Sequence, residues 1–329
     1  MIVSKTPYRI SFFGGGTDYP AWYLKNGGAV ISTTIDKYIY ITCRTLPPFF
    51  EHKYRIIWSL NEKVKKINQI KHKPTKEMLK IFNIKNGLEI HYDGDLPARS
   101  GMGSSSVFVV GLMNALNNYL GVKIDKKILS KKSIIFEQKN LNEVVGSQDQ
   151  IAAAYGGFNK ITFKKNGNFF VNNFSLKNKN IMTLNKNLIL LYTGLERSAH
   201  KIAKSFVHKL QTSKKHHIKE IASFVKEGEK ILKHGNCDDF GKLLHHSWIE
   251  KKSLSPLITN SSIDKIYNLA MKKGALGGKI LGAGGGGFLI FYVPHYKQKA
   301  FLKCFNKLIN IPFSFSNEKS RIIFNNYGN

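Results

Sequence analysis

The chain has 329 residues, of which 42% are hydrophobic and 12% are aromatic. This length and composition predict one large or two medium globular domains and exclude a disordered chain. Lysine and arginine together number 51 against 21 aspartates and glutamates, which gives a net charge of +30. Nearly all of the excess is lysine spread along the whole chain. We interpret it as a compositional bias with small anionic substrates as a secondary benefit, and we predict no nucleic-acid partner.

Three features indicate the compartment. No apolar run reaches the ~18 residues that a membrane span needs, so no membrane partner is predicted. Residues 1–13 contain neither the continuous apolar core nor the cleavage site of a secretory signal. Cys43, Cys237 and Cys304 are odd in number and lie far apart, which favours reduced thiols and a cytoplasmic protein.

Hydrophobic periodicity divides the chain into strands and helices. We predict strands at 10–13, 29–35, 38–43, 54–59, 88–92, 158–163, 169–174, 187–192, 288–293 and 320–324. We predict helices at 21–24, 76–83, 107–120, 125–140, 219–233, 237–252 and 296–308, with a further helix opening at 196. The lysine-rich residues 63–76 are predicted to be a solvated segment. The polar, turn-rich residues 180–187 are predicted to contain the boundary between two domains, 1–183 and 184–329.

A first glycine segment, residues 14–16, follows the first strand and precedes Thr17, Asp18 and Tyr19. One interpretation is a glycine turn with a capping Thr or Asp before a helix. The other is a backbone-rich pocket in which a carboxylate binds ligand hydroxyls. Arg9 and Asp18 are the strong charges near this turn.

A second glycine segment joins the strand at 88–92 to the helix at 107–120. The loop at 97–106 is rich in glycine and serine and runs into the helix start, where unpaired backbone N–H groups and the macrodipole favour an anion. It lacks the lysine of a P-loop and the third glycine of a dinucleotide fingerprint. From this segment alone, an ordinary N-cap and a polyphosphate site both stay open.

Two acidic residues could serve the same pocket. Asp149 lies between amide side chains before an alanine-rich helix, where it is either an N-cap or a functional carboxylate. Glu137 lies one helix earlier, and Glu143 is the other acidic group within reach. Residues 282–287 form a third glycine segment that formally matches a dinucleotide fingerprint. A strand follows it instead of a helix, so we exclude a dinucleotide site and consider a flexible turn or a close backbone approach.

Taken together, the three segments resemble the motifs of the GHMP kinases, in the family's order and over essentially the whole chain. Residues 6–19 resemble the first, sugar-binding motif, residues 97–106 the second, and residues 279–286 the third. The resemblance implies an α+β fold with an N-terminal domain like ribosomal protein S5 domain 2 and a ferredoxin-like C-terminal domain. It also implies a phosphotransferase that uses ATP and Mg²⁺.

The resemblance further implies site residues. Asp149 would accept the proton of the acceptor hydroxyl, and Arg9 would stabilise charge in the transition state. Ser104, with Ser105 as the alternative, and Glu137 would bind Mg²⁺. The implied ATP-binding residues are Pro97, Arg99, Ser100, Gly101, Met102, Gly103, Ser104, Ser105 and Ser106. The implied substrate-binding residues are Gly15, Gly16, Thr17, Asp18, Tyr19, Gly282, Ala283, Gly284 and Gly285.

The versions of the motifs resemble those of family members that act on D-glycero-D-manno-heptose 7-phosphate. The implied reaction converts its anomeric C1 hydroxyl to the 1,7-bisphosphate, toward a GDP-heptose for surface polysaccharide. Gly15 and Gly16 stand where galactokinases have Glu-His, which leaves space for a longer or phosphorylated sugar. The terminal phosphate needs a cation, for which Arg197 is our candidate, with Lys201 and Lys251 behind it. Two alternative functions stay open, a fucose- or galactose-type 1-kinase and a catalytically silent sugar sensor. A homodimeric assembly also stays open.

Overall fold

The computed structural model describes residues 1–195 and 199–327, which form two sheets with helices packed between and around them. The strands are β1 (Ile2–Phe13), β2 (Gly28–Thr45), β3 (Tyr54–Ile57), β4 (Asn61–Val64), β5 (Leu88–Gly94), β6 (Phe158–Phe163), β7 (Phe169–Phe174), β8 (Leu188–Tyr192), β9 (Gly277–Ile280), β10 (Phe288–Tyr292), β11 (Ile309–Asn310), β12 (Phe315–Ser316) and β13 (Arg321–Asn325).

The helices are α1 (Pro20–Asn26), α2 (Lys73–Ile81), α3 (Ser104–Tyr119), α4 (Lys126–Ile135), α5 (Gln148–Tyr155), α6 (Lys179–Asn187), α7 (Ala199–Phe206), α8 (Lys215–His234), α9 (Cys237–Lys252), α10 (Ser261–Lys272) and α11 (Gln298–Lys303). Short 3₁₀ turns occur at Ile67–Gln69, Val207–Lys209, Pro256–Ile258 and His295–Lys297. No helix in the described part of the chain is long and apolar enough to cross a bilayer.

The long strand β2 organises the larger sheet. It pairs with β1 along most of its length, with β6 through its first half and with β5 through its second half. The order runs β13-β1-β2-β5-β3-β4, and only the β3–β5 pair in this described sheet is parallel. The two strands predicted at 29–35 and 38–43 are therefore one. Residues 35–37 bulge opposite Tyr8 of β1, and this irregularity hides the continuity.

Helices α3, α4 and α5 cover one face of the larger sheet. Helix α3 is buried along nearly its whole length, from Ser106 to Asn117, because it lies between the sheet and the other two helices. The helix predicted over 125–140 is α4 followed by a π-helical turn, Phe136–Asn140. Such turns are rare and are often found at functional sites, and this one carries Glu137.

The smaller sheet has the order β11-β8-β10-β9 and is antiparallel throughout. Helix α9 packs closely on β9, and α8 lies beside α9 and against β1 and β2 of the larger sheet. A Cβ added at Gly277 would come within 1.9 Å of the carbonyl oxygen of Gly241, so a glycine is needed where α9 crosses the strand. The predicted α+β architecture is confirmed.

The polar, turn-rich composition of residues 180–187 does not correspond to a turn, because these residues lie in helix α6. Asn178 caps the helix by accepting hydrogen bonds from the backbone N–H groups of Asn180 and Ile181. Ile181 and Leu184, one turn apart, are buried. The division of the chain at residue 183 stays a prediction. Because β12 pairs with β2 and β13 with β1, the last described residues belong to the larger sheet.

Candidate active site

A cavity of about 650 Å³ lies between β1, the starts of α3 and α5, and the two C-terminal elements α9 and β9. The predicted site residues that line it are Arg9, Gly15, Gly16, Asp18, Tyr19, Arg99, Gly101, Gly103, Ser104, Ser105, Ser106, Glu137, Asp149, Gly282 and Ala283. The predicted site residues that do not line it are Thr17, Pro97, Ser100, Met102, Gly284 and Gly285. Arg197 lies outside the described residues.

Arg9 and Asp149 form a two-pronged ion pair at the base of this cavity. Arg9 Nε donates to Asp149 Oδ1 at 2.7 Å, and Arg9 Nη2 donates to Oδ2 at 2.6 Å. The third nitrogen, Nη1, donates to the carbonyl of Gly101 at 2.9 Å. The guanidinium is buried, whereas the carboxylate keeps 21% of its side-chain surface open. Asp149 lies in the first turn of α5 and does not cap the helix, so the capping interpretation is wrong.

Helix α3 begins directly on this ion pair. Its N-cap residue is Gly103, in the left-handed region at φ 77°. A Cβ at this position would lie 3.2 Å from Asp149 Oδ2 and 3.4 Å from the guanidinium carbon of Arg9. The left-handed backbone therefore favours glycine, and the tight contact adds to this preference. The helix starts at Ser104, three residues before the predicted start, so its unpaired N–H groups face the cavity.

Glu137 is a buried carboxylate beside the start of α3. Ser105 Oγ donates to Glu137 Oε1 at 3.2 Å, and Gln150 Nε2 donates to Oε2 at 2.5 Å. Burial raises the pKa of Glu137 to about 7 against the opposing hydrogen bonds. Among the described residues no Lys, Arg or His pairs with it. The hydroxyls of Ser105 and Ser106 contact this carboxylate, which favours Ser105, the alternative to Ser104; the binding of Mg²⁺ by a serine of this segment and Glu137 stays a prediction.

Asp18 and Thr17 hold the glycine turn and the start of α5. Asp18, 1% exposed, accepts from the backbone N–H of Gly16 at 2.8 Å and of Gln148 at 3.4 Å. Burial raises its pKa to about 6. The hydroxyl of Thr17 donates to the carbonyls of Gly14 and Ala29 and accepts from Ala29 N. Because the Thr17 side chain is fully buried in these contacts and does not line the cavity, it holds the loop, and its predicted contact with a substrate stays a prediction.

The third glycine segment mostly contacts protein. An added Cβ would lie 1.9 Å from the Ser100 carbonyl oxygen at Gly287, 2.6 Å from Leu195 O at Gly286, and 2.7 Å from Ile258 O at Gly284. Phe288 N donates to Ser100 O at 3.0 Å, which joins this segment to the loop at 97–106. The glycines therefore allow backbones to pack, and Gly285 N also donates to the carbonyl of Ile258 at 2.7 Å; the predicted substrate contacts of Gly284 and Gly285 stay a prediction.

Sequence reasoning missed two groups of cavity residues. Ser11, Gln148 and Lys279 carry polar atoms close to the ion pair, and the signal for Ser11 was its alternation with Arg9 on β1. The second group forms an aromatic end of the cavity. The rings of Trp58 and His72 lie 4.7 Å apart, and Phe108 makes edge contacts with His72 and with Tyr92. Trp58 directly follows β3, His72 is the N-cap residue of α2, Tyr92 lies on β5 and Phe108 on α3.

Comparisons with known proteins agree with this geometry. The model of the GHMP kinases N terminal domain matches residues 66–157, and that of the GHMP kinases C terminal domain matches residues 229–308. The chain is 30% identical to D-glycero-alpha-D-manno-heptose 7-phosphate kinase of Campylobacter jejuni subsp. jejuni serotype O:2, over 93% of each chain. The chain belongs to the GHMP kinase family. It is therefore a phosphotransferase whose acceptor is a hydroxyl group.

Two further relatives support the GHMP kinase fold. The crystal structure of a D-glycero-D-manno-heptose 1-phosphate kinase from Bacteroides thetaiotaomicron superposes with a TM-score of 0.81 at 23% identity, with full coverage of both chains. The galactokinase of Pyrococcus furiosus is 26% identical over 91% of this chain and 90% of its own. GHMP kinases take the phosphoryl group from ATP.

Proposed function

We propose that this GHMP kinase transfers the γ-phosphoryl group of ATP to the anomeric hydroxyl of D-glycero-D-manno-heptose 7-phosphate, which gives the 1,7-bisphosphate on the way to a GDP-heptose. The observation that carries the proposal is the Arg9–Asp149 pair, which lies where the start of α3 and the glycine turn at 14–16 meet. The sugar identity is supported by the similarity to the Campylobacter jejuni enzyme.

ATP would lie along the side of the cavity formed by α3. The N–H groups at the start of α3 and the glycine-rich loop offer donors to the phosphates. The aromatic end of the cavity, with Trp58, Tyr92 and Phe108, would take the adenine, because a base stacks favourably on such rings. In this orientation the terminal phosphate points towards Asp149.

Mg²⁺ would bind at Ser105 and Glu137. Both offer oxygen ligands, which this hard cation prefers, and the ATP phosphates and water would complete its coordination. The surroundings of Glu137 fit a cation, since its carboxylate is buried and its hydrogen bonds from described side chains come from neutral hydroxyl and amide groups. The ion would neutralise charge on the phosphates during transfer.

Phosphoryl transfer needs positioning and charge neutralisation more than covalent help. The anomeric oxygen would attack the γ-phosphorus while the bond to ADP breaks, and its proton would pass to Asp149. Arg9 occupies both carboxylate oxygens, but each retains a second lone pair that can accept the sugar hydroxyl. Arg9 would then stabilise the charge that develops on the oxygen.

The terminal phosphate of the sugar would be held by Arg197. Ala199 and His200, the next described residues in the chain, line the cavity. Lys251, which also lines the cavity, donates to the carbonyls of Ile280 and Gly282 and would chiefly hold the third glycine segment.

The test is the rate of ADP release with a panel of sugars at fixed ATP. The panel contains D-glycero-D-manno-heptose 7-phosphate, the same heptose without its phosphate, mannose 6-phosphate, galactose and fucose. We expect kcat/KM to be at least tenfold higher for the heptose 7-phosphate than for any other sugar. Equal or better use of galactose or fucose would reject the proposed substrate in favour of a hexose 1-kinase, and ³¹P spectra of the product would identify the phosphorylated oxygen.

A further inference from the structure

Two buried polar atoms next to the Arg9–Asp149 pair lack partners, and a third buried group, the ammonium of Lys279, has one acceptor among the described residues. Ser11 Oγ and Gln148 Oε1 have no hydrogen-bond partner within the described structure. Lys279 is 5% exposed, and its ammonium finds one acceptor among the described residues, the carbonyl of Phe12 at 2.7 Å. All three residues line the cavity. Because buried donors and acceptors are normally hydrogen-bonded, buried atoms without partners that line a cavity indicate a place for a ligand.

Ser11, Gln148 and Lys279 line the cavity next to the Arg9–Asp149 ion pair. Ser11 follows Arg9 by two residues in a regularly paired part of β1, so both side chains are on the same face of the sheet. Gln148 precedes Asp149 in the first turn of α5. Gly15 lies between them, since a Cβ there would be 3.8 Å from Gln148 Nε2 and 3.9 Å from Ser11 Oγ. A substrate held at Arg9 and Asp149 therefore extends towards these groups.

The chemistry of the three groups favours hydroxyls over a phosphate. Lys279 only donates, a hydroxyl such as that of Ser11 donates or accepts, and Gln148 Oε1 only accepts. The Gln148 side chain lowers the pKa of the Asp18 carboxylate against the larger effect of burial, which indicates that the amide N–H₂ faces Asp18 and Oε1 faces away. An ionised phosphate cannot donate to Gln148 Oε1. A sugar diol can satisfy all three groups.

We propose that Ser11, Gln148 and Lys279 form a subsite that binds two neighbouring hydroxyl groups of the acceptor sugar beside the hydroxyl that is phosphorylated. This proposal rests on the proposed function, in that the acceptor is a sugar. Burial, with a contribution from Arg9, lowers the pKa of Lys279 to about 7. A hydroxyl ligand is compatible with this amine, because the neutral and the charged forms both donate.

The test compares the variants Ser11→Ala, Gln148→Met and Lys279→Met in the ADP-release assay. We expect each to raise KM for the sugar about tenfold while KM for ATP stays within about twofold. Ser32→Ala is the matched control. Ser32 is the cross-strand neighbour of Ser11, is also buried with an unpartnered hydroxyl, and lies outside the cavity lining, so its KM values should match the wild type.

Monodeoxy analogues of the accepted sugar separate a contact from a structural effect. For the analogue that lacks the bound hydroxyl, kcat/KM of the wild type should fall about tenfold relative to the natural sugar. The same change of sugar should lower kcat/KM of Ser11→Ala or Gln148→Met only slightly, because the variant has already lost this interaction. Independent, multiplicative losses for all analogues, or an unchanged sugar KM in Ser11→Ala, would overturn the subsite and leave the sugar kinase standing. A wild type that phosphorylates no sugar of the panel would overturn the proposed function and the subsite with it.

Discussion

Glu89 and Glu137 are both buried glutamates, at 3% and 0% exposure, but they have opposite surroundings. Glu89 on β5 accepts from Arg44 on β2 at 3.1 Å, from Arg55 on β3 at 2.6 Å, and contacts His91 Nε2 at 2.6 Å. Glu137 accepts hydrogen bonds from neutral groups, the hydroxyls of Ser105 and Ser106 and the amide of Gln150.

The pKa values of these carboxyls move in opposite directions. Burial alone would raise the pKa of Glu89, but the hydrogen bonds from Arg44, Arg55 and His91 outweigh it and lower the value to about 2. Burial raises the pKa of Glu137 to about 7, and none of the described Lys, Arg or His side chains pairs with it to offset this effect. A buried carboxylate that already has its cations holds the fold together, whereas one without them is suited to bind a cation from outside.

Asp149 combines both situations, and its replacement should give the largest effect. It pairs with an arginine as Glu89 does, but it opens onto the cavity as Glu137 does. We expect Asp149→Asn to lower kcat by about 1000-fold, because the acceptor hydroxyl loses its base and Arg9 loses its anchor. ATP affinity, measured by calorimetry, should change less than about threefold. Asp93→Asn, at an exposed position outside the cavity lining, is the control, and turnover by Asp149→Asn near the wild-type rate would contradict the assigned role.

Glu137→Gln tests the other side of the comparison. We expect kcat to fall about 100-fold with saturating ATP and sugar, since Mg²⁺ loses a carboxylate ligand. The free energy of unfolding should stay level or rise, because the neutral amide removes a buried charge without a partner. Stopped assays at increasing Mg²⁺ concentration give kcat, and urea titrations give the free energy of unfolding. Full activity at low Mg²⁺ would show that Glu137 does not bind the metal.

Glu89→Gln should show the reverse pattern. Removing the charge leaves Arg44 and Arg55 without their shared partner, so we expect a loss of about 2 kcal/mol in the free energy of unfolding. Because these residues lie outside the cavity lining, kcat and both KM values should stay within about twofold of the wild type. Urea titrations with Glu137→Gln measured in parallel make the contrast direct. A Glu89→Gln protein that is as stable as the wild type would show that the ion pairs of Glu89 do not stabilise the fold.

The sequence predicted the elements and motifs of this site better than the contacts between them. Periodicity located most strands and helices, including β6, β7 and α9 with the right bounds. The family motifs identified Arg9, Glu137 and Asp149, and the cavity brings all three together. The sequence does not decide between two roles of the same residue type, contact with a ligand and contact with the protein backbone.

Three details of the site have one physical reason for lying beyond the sequence. Thr17 and Gly284 are typical of a binding loop, yet the hydroxyl of Thr17 bonds to backbone and Gly284 makes room for Ile258. Ser104, Ser105 and Ser106 are adjacent and chemically identical, and the helix start decides which hydroxyls face Glu137. These distinctions depend on tertiary contacts far apart in sequence, which residue type and spacing do not encode.

The pH dependence of stability should give the smallest effect, with opposite signs at the two glutamates. For Glu89 the lowered pKa adds stability that is present above about pH 4.5 and is lost as the pH falls towards 2. For Glu137 the raised pKa means that the folded state holds the proton more tightly than the unfolded chain. The free energy of unfolding should therefore fall as the pH rises from 4.5 to 7.

The Glu137 contribution can be isolated as the difference between the wild type and Glu137→Gln in urea titrations. Between pH 6 and 7 the wild type should lose about 1 kcal/mol of stability relative to Glu137→Gln. In this range the carboxyl of Glu137 ionises in the folded state, whereas in the unfolded chain it is already ionised. Mg²⁺ with ATP should abolish the change, because a cation at Glu137 offsets the cost of the buried charge. A difference that is flat with pH without the metal would mean that Glu137 is already neutralised, as Glu89 is, and the distinction between the two glutamates would be lost.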